Sequence, residues 1–127
     1  MKQKKMLVID DSPTDADIIK EYLSKEAQIY VATSGEEGIK LAKEIIPNII
    51  ILDIIMPGLS GIETCEKLRQ IKELKNTTII VSSLKNDIND MIAAFKAGAD
   101  DYMVKPPYPE FLIKKIRIYL NVNKGEN

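Results

Sequence analysis

Four aliphatic residues in a row, Ile49-Ile50-Ile51-Leu52, run without a polar interruption and stop on an acid, Asp53. A run this short, β-branched for three of its four residues, reads as a strand, and the lack of alternation predicts burial on both faces, as in the centre of a parallel sheet. Four further short apolar runs flank it: Met6-Leu7-Val8-Ile9, the alternating edge-like Gln28 to Ala32, Thr78 to about Ser83, and Tyr102-Met103-Val104. Between them lie stretches with helical spacing. Ser12 followed by Pro13 and Asp15 predicts a capped start to the first helix, whose apolar face is Ile18, Ile19, Tyr22 and Leu23. Ser34 starts a second helix, with Ile39, Ala42, Ile45 and Ile46 facing inward. Met56-Pro57-Gly58 makes a turn, and Ser60 with Glu63 predicts a capping box for a third helix with the stripe Ile62, Cys65, Leu68 and Ile71. A fourth helix carries Ile88, Met91, Ile92 and Phe95 and ends at Gly98. A fifth, from about Pro109, buries Leu112, Ile113, Ile116 and Leu120. Strict strand–helix alternation implies an α/β fold: a doubly wound five-stranded parallel sheet with right-handed crossovers and helices on both faces.

The chain's 127 residues suit a single domain spanning 1–127, with a core from about 5 to 121 and a polar tail at 122–127. A net charge of −1, from 18 basic and 19 acidic residues, gives no basic excess for direct nucleic-acid binding. No apolar stretch approaches a membrane span. The single cysteine, Cys65, leaves no internal disulfide and fits a reducing, cytoplasmic setting. The absence of histidine removes the commonest general base and metal ligand.

In doubly wound sheets, chemistry gathers beyond the carboxyl ends of the strands. Those ends carry Asp10 and Asp11, Asp53, Ser82 with Ser83, and Lys105. Like charges 4 Å apart repel by roughly 4 kcal/mol at an effective dielectric near 20. Three acids kept together therefore point to a hard divalent cation, and an oxygen-only set suits Mg²⁺. A carboxylate can attack phosphorus to give an aspartyl phosphate. Asp53, central and at the end of the most apolar strand, is the expected nucleophile. Asp10 and Asp11 would hold the metal, Lys105 would pair with a phosphoryl oxygen, and a serine hydroxyl would donate to another.

The segments Val8-Ile9-Asp10-Asp11-Ser12, Ile51 to Gly58, Ser82-Ser83, and Gly98 to Pro106 resemble the receiver domain of two-component response regulators, of the chemotaxis-receiver type. The resemblance extends from about Lys5 to Asn121. It implies a flavodoxin-like sheet in the order 2-1-3-4-5. It implies phosphotransfer from a sensor kinase's phosphohistidine, direct or through a phosphotransfer protein, to Asp53. It also implies Mg²⁺ held by Asp11, Asp53 and the main-chain carbonyl of Ile55, with Asp10 direct or through water. Tyr102 matches the aromatic switch residue, and spacing back from Lys105 matches Ser83 to the switch hydroxyl, although Leu84 stands where a small residue is usual and leaves Ser82 open. The implied output is a changed surface of helix four, strand five and helix five that controls an effector protein or output domain. Self-association through helices four and five stays open. Such a protein is a signalling phosphoprotein rather than a turnover enzyme.

Plainer readings apply residue by residue. Asp10-Asp11 could be favourable charge at a helix N-terminus, one serine could simply end its strand, and Tyr102 could be a half-buried strand aromatic. Cys65 reads as a small core hydrophobe, and the lysines of helices two, four and five as solvated faces. Among rival functions, a haloacid-dehalogenase-type phosphatase would want a second carboxylate where Ile55 stands. A flavodoxin-like mononucleotide binder would want a hydroxyl- and glycine-rich first loop where Asp10-Asp11 stand.

Overall fold

The computed structural model describes residues 3–84 and 87–121. Elements alternate as expected: β1 (Lys5–Ile9), α1 (Pro13–Leu23), β2 (Gln28–Ala32), α2 (Gly35–Ile45), β3 (Ile49–Asp53), α3 (Gly61–Arg69), β4 (Thr78–Ser83), α4 (Ile88–Lys96), β5 (Asp101–Val104) and α5 (Pro109–Leu120). The five strands are parallel in the order β2-β1-β3-β4-β5. The expected polar tail at 122–127 lies outside the described residues. No helix among the described residues is long and apolar enough to cross a membrane.

Strand alternation divides the core in two. Leu7, Ile9, Ile50, Leu52, Ile79, Val81 and Tyr102 pack with Ala42, Cys65, Leu68 and Ala94 of α2, α3 and α4. Met6, Val8, Ile49, Ile51, Ile80 and Met103 pack with Ala16, Ile19, Leu23, Leu112 and Ile116 of α1 and α5. Every residue of β3 is buried, which explains why its sequence does not alternate.

The helix starts follow their caps. Ser12 accepts from the Asp15 N–H, Ser34 from Glu37, and Ser60 with Glu63 closes the capping box in both directions; each such cap stabilises its helix by about 1 kcal/mol. Gly98, just past α4, has φ 109°, a conformation open to glycine.

Four expectations need correction. Ile46 does not face inward: Pro47 disfavours a helical residue before it, so α2 closes at Ile45 and Ile46 caps it in the left-handed region at φ 47°, 42% exposed. Ile71 lies beyond α3, before a 3₁₀ turn at Lys72–Leu74 whose Leu74 is fully buried. On α4 only Ala94 is fully buried and Met91 partly so, while Ile88, Ile92 and Phe95 stand exposed, because the helix turns Ala94 and Met91 to the core. Lys115 is no solvated lysine: its ammonium lies 2.6 Å from Asp101, which holds it half-buried.

Candidate functional site

Parity along each strand decides which side chains meet. Asp10 continues the Met6, Val8 series, Asp53 the Ile49, Ile51 series, Ser82 follows Ile80, and Lys105 follows Met103. All four therefore leave the sheet on the α1/α5 side, at its carboxyl rim. Register completes the arrangement, since β1 pairs with β3 up to Ile9–Leu52 and Asp53 lies opposite Ser82.

Asp10, Asp11 and Asp53 each offer a carboxylate oxygen within 4.8 Å of the others. Asp10 and Asp53 are buried, whereas Asp11 faces solvent. At 4.8 Å two carboxylates still repel by about 3 kcal/mol at a dielectric near 20. Part of that repulsion is offset by Lys105, whose ammonium lies 2.8 Å from Asp10 Oδ2, 3.1 Å from Asp15 Oδ2 and 3.4 Å from Asp53 Oδ1. The Lys105 side chain is only 9% exposed. Burial disfavours its charge, yet the hydrogen bond it donates to Asp10 and the charges of Asp10 and Asp53 outweigh burial and raise its pKa.

At Asp53 burial wins, and the charged form is disfavoured. Burial pushes its carboxyl up to about 6, with the Asp10 charge adding to the rise and Lys105 and the Ile55 N–H opposing it. A carboxylate held this uncomfortably is available to a cation or an electrophile. Three carboxylates with no nitrogen or sulfur ligand form a hard oxygen set that suits Mg²⁺, and the rim position leaves Asp11 open to solvent. Ile55, whose N–H donates to Asp53 Oδ1 at 3.4 Å, sits exposed at the same rim. Local backbone holds the acids in place. Asp10 Oδ1 accepts the Ser12 N–H, and Gly61 packs so closely on the Asp53–Ile54 backbone that a Cβ there would collide with it.

The two serines part company. Ser82 belongs to the acid side and lines a crevice of about 20 Å³ with Asp10, Asp15 and Lys105. That crevice is far below the roughly 300–1,000 Å³ of a small-molecule pocket, which counts against a mononucleotide binder at this point. Ser83 pairs with Val104, and by alternation lies on the opposite face, which it shares with Tyr102. Tyr102 is buried in the cluster under α4. Lys105 is joined to Pro106 by a cis peptide, and the chain passes Pro107 and Tyr108 before α5 begins at Pro109.

Sequence reasoning missed Asp15. It was expected only in the first turn of α1, but side chains there lean back toward the helix N-terminus, and this one reaches Lys105.

A model of the response regulator receiver domain matches residues 6–117. The chain is 41% identical over 114 residues to the nitrate/nitrite response regulator protein NarL of Escherichia coli K12, an alignment covering 87% of this chain and 52% of that one. It is 32% identical over 117 residues to protein PilH of Pseudomonas aeruginosa, covering 91% and 97%. Chemotaxis protein CheY4 of Vibrio cholerae superposes with a TM-score of 0.88 at 25% identity, covering 93% and 99%. The chain spans about half the length of several of the curated relatives it matches.

Proposed function

The chain belongs to the response regulator receiver domain family, whose members act as phosphorylation-switched signalling domains of two-component systems, and from that premise we propose that its phosphoryl acceptor is Asp53. The observation that carries the reading is the convergence of three carboxylates within 4.8 Å with one ammonium 3.4 Å from Asp53. The donor is a phosphohistidine on a sensor kinase or a phosphotransfer protein. Attack by an Asp53 oxygen forms the O–P bond as the P–N bond breaks, and the departing imidazole nitrogen keeps the electron pair. Asp10, Asp11, Asp53 and the Ile55 carbonyl are the groups to hold Mg²⁺, which supplies charge neutralisation at the phosphoryl oxygens when bound. Lys105 turns from Asp53 to a phosphoryl oxygen. The reading makes the chain one receiver domain over 1–127, cytoplasmic, and a signal carrier rather than a turnover enzyme.

The switch follows from the split between the serines. Phosphorylation adds about −1.5 to −2 charge and three acceptor oxygens. Ser83 shares the face of Tyr102 but ends β4, so its hydroxyl swings over the rim to donate to one of them, and the swing opens room beside Tyr102, which repacks under α4. An effector protein or an output domain then reads the surface of α4, β5 and α5, where Ile88, Ile92, Phe95, Val104 and Phe111 are exposed. Incubation with acetyl phosphate and Mg²⁺, followed by intact mass, tests the reading. One added phosphoryl mass is expected, lost when EDTA replaces Mg²⁺. Labelling at an unchanged rate in EDTA would overturn the metal's role, and no labelling in either would overturn the acceptor.

A further inference from the structure

Lys105 has one partner that the acceptor chemistry does not use. Its ammonium lies 3.1 Å from Asp15 Oδ2, closer than the 3.4 Å to Asp53 Oδ1. Asp15 is the third residue of α1, and its own N–H donates to the Ser12 hydroxyl that caps the helix. The cap fixes the backbone of Asp15, and the lean of side chains at a helix start aims its carboxylate at the strand ends. The Asp15 side chain is 40% exposed, whereas that of Asp10, the other close partner, is 6% exposed.

That difference separates the two partners. Asp10 is buried beside the acid cluster and stays where the site needs it. Asp15 can be solvated when Lys105 leaves, so it is the partner given up. Until then it holds the ammonium on the α1 side, and the lysine must break this pair to reach a phosphoryl oxygen. Resting on the acceptor role of Asp53, we propose that Asp15 is a positioning residue that restrains Lys105 and so sets how readily the site takes up a phosphoryl group. The restraint favours the unphosphorylated arrangement. Removing it releases a lysine already poised at the site, at no loss to the acid cluster.

Beryllofluoride, a phosphoryl mimic, tests this by amide NMR titration at fixed Mg²⁺. The measured quantity is the concentration that half-converts the Asp53 region. Asp15→Asn lowers it by about threefold, the worth of one half-exposed ion pair. Asp17→Asn, an exposed acid on the same helix, controls for net charge and leaves it within experimental error of wild type. In a Lys105→Met background, Asp15→Asn has no effect, because the residue acts through the lysine. Repeating Asp15→Asn at high salt gives a check that does not depend on Lys105→Met folding: a contact restraint survives, whereas repulsion between distant charges is screened. Equal behaviour of Asp15→Asn and Asp17→Asn, or a gain that vanishes in salt or persists without Lys105, overturns the proposal while wild-type conversion leaves the acceptor reading intact. If wild type shows no saturable response, the acceptor reading fails and the restraint falls with it.

Discussion

Replacing the acceptor should make the metal-free domain more stable. The Asp53 carboxyl is raised from 3.8 to about 6, chiefly by burial and secondarily by the Asp10 charge. The folded state therefore retains a proton at pH values where the unfolded chain has already lost it. Stability falls as pH climbs from about 4 to about 6, because the native state binds more protons than the unfolded state across that window, and it levels off above. That rise corresponds to about 3 kcal/mol at most. That figure is already net of the Lys105 attraction, and screening at the solvated rim brings the expected gain for Asp53→Asn to about 2 kcal/mol near pH 8. The asparagine still offers an oxygen to the Ile55 N–H that Asp53 accepts. For 127 residues the unfolding entropy is near 0.27 kcal/mol/K, so Tm should rise by about 7 °C. Thermal unfolding followed by circular dichroism in EDTA, near pH 8 and near pH 4.5, measures both arms. The gain should shrink strongly at the lower pH. A variant less stable than wild type near pH 8, or an equal gain at both, would refute the argument that burial, with the Asp10 charge beside it, makes the Asp53 carboxylate costly to the fold.

Three further outcomes follow from features away from the acids. Ile46, β-branched at φ 47° and 42% exposed, should give about 1 kcal/mol of added stability on Ile46→Asn, read as a higher urea midpoint at unchanged slope. Arg69 donates to the carbonyls of Gly98, Leu74 and Thr77 and pairs with Asp100, joining α3 to the start of β4 and the α4–β5 turn. Arg69→Ala should cost about 3 kcal/mol in the same assay, and a change within 0.5 kcal/mol would show these bonds to be incidental. Cys65 is fully buried, with burial pushing its thiol up to about 11, so an aromatic disulfide reagent should react only as the protein unfolds; prompt native-state labelling would contradict the packing.

The sheet was legible because burial on both faces leaves a mark that survives in sequence: β3 admits no polar residue before Asp53. The caps were legible because Ser12, Ser34 and Ser60 act within four residues of themselves. Asp10, Asp11, Asp53 and Lys105 were legible because parallel strands all deliver their ends to one rim. Spacing back from Lys105 favoured Ser83 but left Ser82 open and could not give the face of either, since adjacent strand residues point to opposite faces and only the helices packed on each face say which is which. Asp15 was hidden for a different reason. Its pair spans 90 positions and depends on where the fold sets the start of α1 relative to the end of β5, a tertiary fact with no local signature. Ile46 and the exposed residues of α4 show the same limit: periodicity reports an apolar stripe, while the width of the surface beneath decides how much of it is covered.

Chemical trapping of the acceptor tests the central claim most directly. Borohydride reduces an aspartyl phosphate to an alcohol, which marks the phosphorylated residue permanently as homoserine. The protein is labelled with acetyl phosphate and Mg²⁺, reduced, digested and mapped by peptide mass. The account predicts conversion at Asp53 alone, and none anywhere in Asp53→Asn. Conversion at Asp10 or Asp11 in the wild type, or undiminished labelling of Asp53→Asn, would contradict it.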